Sequence, residues 1–296
     1  MDLKEKILSG MMGLAVGDAL GVPVEFSSRE ELKENPVTDM LEYGTHNQPR
    51  GTWSDDTSMA LCTLASLTEK GLDIEDIRER FENWYYNDYM TPYGKVFDCG
   101  ITIADAIENR KGCTDEYSNG NGSLMRILPI AYYLYAHKEL NLYDVVKEVS
   151  SITHAHDRSV LGCAIYVYIA ISIIDGKSLK DSIFNALDTF ENYSEFYNYQ
   201  DLYNIENLQE DDIDSSGYVV STLKASLWCL LSTSNYKDCV LKAINLGDDT
   251  DTVGAVCGGL AGIIYGFDSI PHDWLDCLAK YNLLQSLCND YAKSLK

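Results

Sequence analysis

Basic residues are scarce in this chain. Its 296 residues hold 23 Lys and Arg against 46 Asp and Glu, a formal net charge of −23. Neutralising a phosphate backbone needs a surplus of Lys and Arg, so nonspecific nucleic-acid binding is excluded. A small anion remains admissible, because backbone amides and helix N-termini hold anions without net positive charge. Proline is scarce too, at six residues, which leaves Gly and polar loops to end the helices. Paired cysteines are missing: the nine Cys are odd in number and none forms a CxxC. Several, such as Cys62 and Cys163, sit in apolar runs, so the expectation is buried reduced thiols in a cytoplasmic protein. Neither a zinc site nor a disulfide framework is suggested. Met1–Lys6 mixes charges and does not read as a signal peptide. The longest apolar stretch, around Cys163 to Ile174, reads as too short for a membrane span, so no membrane partner is expected.

What is present is helical periodicity. Hydrophobic residues make up 46% of the chain, enough for a sizeable core. Ile7, Met11, Leu14 and Ala15 mark one apolar face, and Met59, Cys62, Thr63 and Leu67 mark another that ends at Gly71. Similar patterns run through 101–107, 124–135, 145–152, 160–174, 183–190, 219–231, 240–246 and 253–265. There is no series of short alternating strands. These patterns predict an all-α bundle. No linker-like composition divides it, so a single domain over 1–296 is expected. The stretch 191–214 differs, with eight acids, no base and Tyr193, Tyr197, Tyr199 and Tyr203. It reads as a solvated surface insertion, with a lid or partner-binding segment as the sharper alternative.

Two acidic clusters carry the chemistry. Ser54-Asp55-Asp56-Thr57 and Gly247-Asp248-Asp249-Thr250-Asp251-Thr252 each precede an apolar helical run. Helix capping would explain either cluster alone. Their joint occurrence exceeds what capping needs. Carboxylates that face one another in an interior lose hydration and repel, and cations relieve both penalties. Hard oxygen ligands suit Mg²⁺ or Mn²⁺. Gly13-Leu14-Ala15-Val16-Gly17-Asp18-Ala19-Leu20-Gly21 offers small residues for close approach, by a backbone or by a ligand. Asn119-Gly120-Asn121-Gly122-Ser123 reads as an anion-cradling loop opening into a helix, or as a plain Asn-Gly turn. Thr153-His154-Ala155-His156-Asp157 has no soft third ligand nearby, so hydrogen bonding fits it better than zinc. His46, His137 and His272 lie in unrelated contexts.

Taken in order, GDALGVPVE (17–25), WSDDTSM (53–59), FDCG (97–100), NGNGSLMR (119–126), THAHDRS (153–159) and GDDTDTVGA (247–255) resemble the ADP-ribosylglycohydrolase family. The likeness is greatest to its bacterial branch that removes ADP-ribose from arginine, the dinitrogenase-reductase-activating type. The resemblance implies a compact orthogonal all-α bundle with two Mg²⁺ or Mn²⁺ ions. It further implies that Ser54, Asp55 and Asp56 are one set of metal ligands and that Asp249, Asp251 and Thr252 are the other, with Asp248 outside both. Glu25 matches an acid that approaches the metals and the distal ribose. Asn121, Gly122 and Ser123 match the loop around the diphosphate and distal ribose, and His154 matches a ligand contact. Asp98 matches the acid near the scissile bond, with Glu25 as the alternative base. The implied partner is an ADP-ribosylated protein or a small ADP-ribose compound. Ser54 departs from the commoner threonine, and its hydroxyl still suits a cation. Serine-linked or O-acetyl-ADP-ribose substrates, and a binding-only or structural relative, are the alternatives. Isoprenyl diphosphate synthases, a different all-α class, carry DDxxD-type acids on helices, whereas the acids here open helices.

Overall fold

In a computed structural model that describes residues 1–295, apolar periodicity resolves into a chain of helices. The first half holds α1 (Leu3–Gly21), α2 (Arg29–Glu34), α3 (Asp55–Lys70), α4 (Ile74–Asn87), α5 (Ile101–Asn109), α6 (Leu128–Ala136) and α7 (Leu142–Ser150). The second holds α8 (Asp157–Ile174), α9 (Leu179–Phe190), α10 (Val219–Leu231), α11 (Tyr236–Ile244), α12 (Thr250–Tyr265), α13 (His272–Cys277) and α14 (Tyr281–Ser294). Among the described residues β-pairing is limited to isolated bridges, so the all-α expectation holds.

The organising contact is α1 against α12. Gly13 and Gly17 on α1 face Gly258 and Gly254 on α12, backbone to backbone. A Cβ on Gly254 would lie 2.5 Å from the Gly17 carbonyl oxygen, and one on Gly17 would press closer still on the Gly254 carbonyl. Only hydrogen fits between them. The small-residue run of α1 therefore serves helix packing. That seam brings the C-terminal end of α1 beside the N-terminal end of α12, with Gly21 against the Asp251 backbone. Helices α3 and α14 pack on the same assembly, and the buried Trp53 indole donates to the Ala279 carbonyl at 2.8 Å. One hydrophobic cluster runs from Ile7 to Ala292.

Several expectations shift. Helix α6 begins at Leu128 and not at 124, because Pro129 falls in its first turn, where a missing N–H costs nothing. Among the described residues two helical segments are long and apolar enough to span a membrane, Leu3–Val24 and Asp157–Ile174, where only a shorter run had been expected. Their apolar windows are 89% and 78% buried within the bundle, which accounts for the apolarity as core packing. The 191–214 stretch is not wholly solvated: Tyr199, Leu202, Ile205 and Ile213 are buried, and Glu195 turns inward to pair with Arg158 at 2.9 Å, while most of its other acids are exposed. Tyr199 donates to the Arg158 carbonyl at 2.7 Å, pinning the stretch to α8. All nine cysteines are free, six buried and three half-buried.

Candidate active site

Asp18, near the end of α1, is fully buried and sets the position of α3. Its two oxygens accept the Ser54 amide at 2.9 and 3.0 Å. Oδ2 also accepts the Thr57 amide at 3.0 Å and the Thr57 hydroxyl at 2.6 Å. Ser54 is the N-cap of α3 and accepts the Asp56 amide at 3.3 Å. Capping is thus real for the first cluster, yet it uses the side chains of Asp18 and Ser54; those of Asp55 and Asp56 cap nothing, although Asp56 Oδ2 accepts from Ser54 Oγ at 3.2 Å.

The second cluster departs further from capping. Asp249 occupies the N-cap of α12 but caps nothing with its side chain. Its Oδ2 instead accepts from Asn121 Nδ2 at 2.9 Å, and that same amide donates to Thr222 Oγ1 at 2.9 Å. The hydroxyl of Thr252 donates to Asp56 Oδ2 at 3.3 Å, so the two clusters meet. Oxygens of Glu25, Asp249 and Asp251 all lie within 4.8 Å of one another. Asp55 and Asp56 stand outside that tightest triad. Asp248, in the left-handed region at φ 59°, is exposed and points away.

Beside these carboxylates opens a cavity of about 650 Å³. Glu25, Asp55, Asp98, Asn121, Gly122, His154, Asp249 and Thr252 all line it, so most expected site residues converge there. Ser123 does not. Its hydroxyl is fully buried in the core, accepting from Ser150 Oγ at 2.9 Å and meeting Cys163 Sγ at 3.3 Å. Ser54 lies on a narrow crevice next to the cavity, and Asp56 and Asp251 lie behind its wall. Nothing from 191–214 lines the cavity among the described residues, which leaves the lid alternative without support.

His46 is the residue that the sequence reading missed. Its Nε2 is hydrogen-bonded to Glu25 Oε2, and groups of Glu25, His46 and Asp98 converge within 4.8 Å. Thr45 holds the loop in place, donating its amide to the Pro23 carbonyl at 3.0 Å and its hydroxyl to the Glu25 carbonyl at 2.8 Å. The His46 ring lies 5.3 Å from that of Phe97 and 6.1 Å from that of Phe26. No local pattern around His46 marks it, since its partner is 21 residues away. Asp18 had a signal, as the one charge in the small and apolar stretch of α1 that follows Lys6.

Burial dominates the electrostatics. It pushes Asp55, Asp56 and Asp251 well above the usual carboxylate range, and the neighbouring acids add to the shift. Burial likewise raises Asp18 to about 6 and Glu25 to about 7. Asp98 rises by burial, partly offset by the charge of His46. The hydrogen bond to Glu25 raises His46, and burial of the ring offsets part of that rise. Desolvation lowers His154 to about 3, with Arg126 acting in the same direction, so its ring is neutral.

The carboxylates fit divalent cations on two counts. Asp56 Oδ1 and Asp249 Oδ1 are buried with no hydrogen-bond partner among the described residues. An acceptor left bare in an interior is costly, and a hard cation satisfies it. The donor set, all oxygen apart from His46, suits Mg²⁺ or Mn²⁺.

Fold and site together define an all-helical protein built around one polycarboxylate cavity. The chain belongs to the ADP-ribosylglycohydrolase family, whose profile matches residues 1–296. It is 33% identical over 301 residues to "ADP-ribosylarginine hydrolase Tri1" of Serratia proteamaculans, covering 96% of this chain and 78% of that protein. It is 32% identical over 290 residues to "ADP-ribosyl-[dinitrogen reductase] glycohydrolase" of Rhodospirillum rubrum, covering 93% and 90%. A solved structure titled "ADP-ribosylglycohydrolase-related protein complex" superposes with a TM-score of 0.84 at 28% identity, over 100% of this chain and 99% of that one.

Proposed function

We propose that this protein hydrolyses the N-glycosidic bond between ADP-ribose and an arginine side chain, reversing mono-ADP-ribosylation of a protein. The observation that carries the reading is the meeting of two distant acid clusters, with bare oxygens on Asp56 and Asp249, at a cavity that Asp98 and Glu25 also line. The Serratia relative, an ADP-ribosylarginine hydrolase, supports the arginine linkage, and the Rhodospirillum relative, an ADP-ribosyl-[dinitrogen reductase] glycohydrolase, supports a protein substrate.

Asp55, Asp56, Asp249, Asp251, Ser54 and Thr252 would hold two Mg²⁺ or Mn²⁺ ions. When bound, the ions supply positive charge that neutralises the carboxylates and fixes the vicinal hydroxyls of the distal ribose. Asn121 orients Asp249 from the loop side. Asp98 accepts hydrogen bonds from the substrate guanidinium and holds the scissile nitrogen in place. Positive charge builds on the ribose as the C–N bond lengthens, and Glu25 and Asp98, cavity acids not assigned to the ions, favour it. Glu25 takes a proton from the attacking water as its oxygen bonds to the anomeric carbon. The C–N pair goes to the departing guanidine, which then gains that proton. His46 fixes the carboxyl of Glu25 for this exchange.

The test compares ADP-ribose release from arginine-linked, serine-linked and O-acetyl substrates. Release from the arginine linkage well above the other two is expected. Turnover of only another linkage, or binding without turnover, would overturn the arginine assignment.

A further inference from the structure

Arg126 is fully buried, and no carboxylate pairs with it among the described residues. Its Cζ lies 4.5 Å from the centre of the Phe81 ring, and its Nε and Nη1 have no partner. Its Nη2 donates to Thr153 Oγ1 at 2.9 Å, and Thr153 Oγ1 lies 2.9 Å from His154 Nδ1. These contacts have only one consistent polarity. A guanidinium has donors and no acceptor, so Thr153 Oγ1 receives from Arg126. Its single hydroxyl proton then points to His154 Nδ1, which must accept. Were Nδ1 protonated, both neighbours would donate to Oγ1 and the hydroxyl proton would be buried without an acceptor.

The other ring nitrogen therefore carries the hydrogen. His154 lines the cavity, and its Nε2 has no partner among the described residues. Gly120 and Gly122 close over the ring. A Cβ on Gly122 would come within 2.8 Å of Cε1, and one on Gly120 within 3.6 Å of Nε2. The cavity lining holds no Lys or Arg among the described residues, so an anionic ligand must find neutral donors there.

We infer that Arg126 and Thr153 are positioning residues that lock His154 as a neutral Nε2–H donor aimed at an acceptor oxygen of the ligand. The ligand part rests on the ADP-ribose reading above, whereas the tautomer does not. His154 in this state donates and cannot serve as a general base. The charge of Arg126 is relayed through one hydroxyl rather than presented directly.

The experiment is long-range ¹H–¹⁵N spectroscopy of the histidine rings, with His154→Gln to assign its signals among the five histidines. ADP-ribose affinity is measured by calorimetry on the same proteins. In the wild type the His154 signals are those of a single Nε2–H tautomer. Thr153→Val keeps the shape but removes the hydroxyl, so the single tautomer is lost and ADP-ribose binds about tenfold more weakly. Thr153→Ser restores both. A wild-type Nδ1–H tautomer overturns the inference, as does a Thr153→Val protein that binds ADP-ribose as tightly as the wild type. If Thr153→Val fails to fold, the wild-type spectrum and Thr153→Ser decide the tautomer. Failure of the wild type to bind ADP-ribose would refute the functional reading and leave the tautomer question to the spectrum.

Discussion

The Thr252 hydroxyl stands 3.3 Å from Asp56 Oδ2, joining residues 196 positions apart. Helix α1 makes this meeting possible, because Asp18 anchors the start of α3 while the Gly17–Gly254 seam carries α12 alongside. The site's geometry is therefore tied to the most extensive helix–helix packing among the described residues.

That coupling predicts the effect of filling the seam. Gly254→Val would drive a side chain into the Gly17 backbone, where no flexible atom can move aside. Overpacking of this kind costs about 1–3 kcal/mol or more. Denaturant titration should show a lowered midpoint, and Mn²⁺ affinity should fall with it because Asp251 is displaced.

Asp18→Ala tests the anchor. It strips the acceptor from the Ser54 and Thr57 amides and from the Thr57 hydroxyl, each a buried donor. An unsatisfied buried donor costs about 1–3 kcal/mol. Thermal unfolding should show a marked loss of stability, with weaker metal binding. A variant as stable as the wild type would show that Asp18 does not fix α3.

Stability without metal should fall as pH rises. Folding raises Glu25 from 4.5 to about 7 and Asp18 from 3.8 to about 6. Between those values the folded protein holds more protons than the unfolded chain, so the stabilising contribution is full at the acid end. It is lost as pH climbs through about 6 to 7. Cations bind the ionised carboxylates, so added Mn²⁺ should raise Tm more at about pH 7.5 than at about pH 5.5. Calorimetric scans in EDTA and in Mn²⁺ check both slopes.

Asn121→Leu probes the orientation of Asp249. The amide bonds Asp249 Oδ2 and Thr222 but none of the other acids. Losing such a supporting contact typically lowers metal affinity or activity about 10–100-fold. Mn²⁺ titration should show that loss with the fold intact by circular dichroism.

Asp98→Asn separates chemistry from binding. Asp98 lines the cavity but makes no hydrogen bond to the other acids. The variant should bind ADP-ribose and Mn²⁺ nearly as the wild type does. Its kcat on arginine-linked ADP-ribose should drop about 10²-fold, because the scissile nitrogen is no longer held in place.

Helical class was legible because apolar spacing survives in the long core helices; 219–231 matches α10 residue for residue. Short or strongly charged helices such as Arg29–Glu34 and Tyr281–Ser294 escaped, since few apolar positions mark them. Asp56 and Asp249 were legible because a helix start must carry polar residues and these exceed the need. His46 was not, because a loop histidine gains meaning only from the fold that brings Glu25 to it. Ser123 was misplaced toward the ligand, because residue order in a turn does not say which side chain faces the core. The Arg126–Thr153–His154 chain lay within two quoted motifs, but nothing in either shows that they touch.

The central claim is that the converged carboxylates form a metal-dependent hydrolytic centre for arginine-linked ADP-ribose. Its most direct test is ADP-ribose release from an arginine-ADP-ribosylated protein, in EDTA and after restoring Mg²⁺ or Mn²⁺, with Asp249→Ala as control. The account predicts release that EDTA abolishes, that added metal restores and that Asp249→Ala lacks. Undiminished release in EDTA, or from Asp249→Ala, would contradict it.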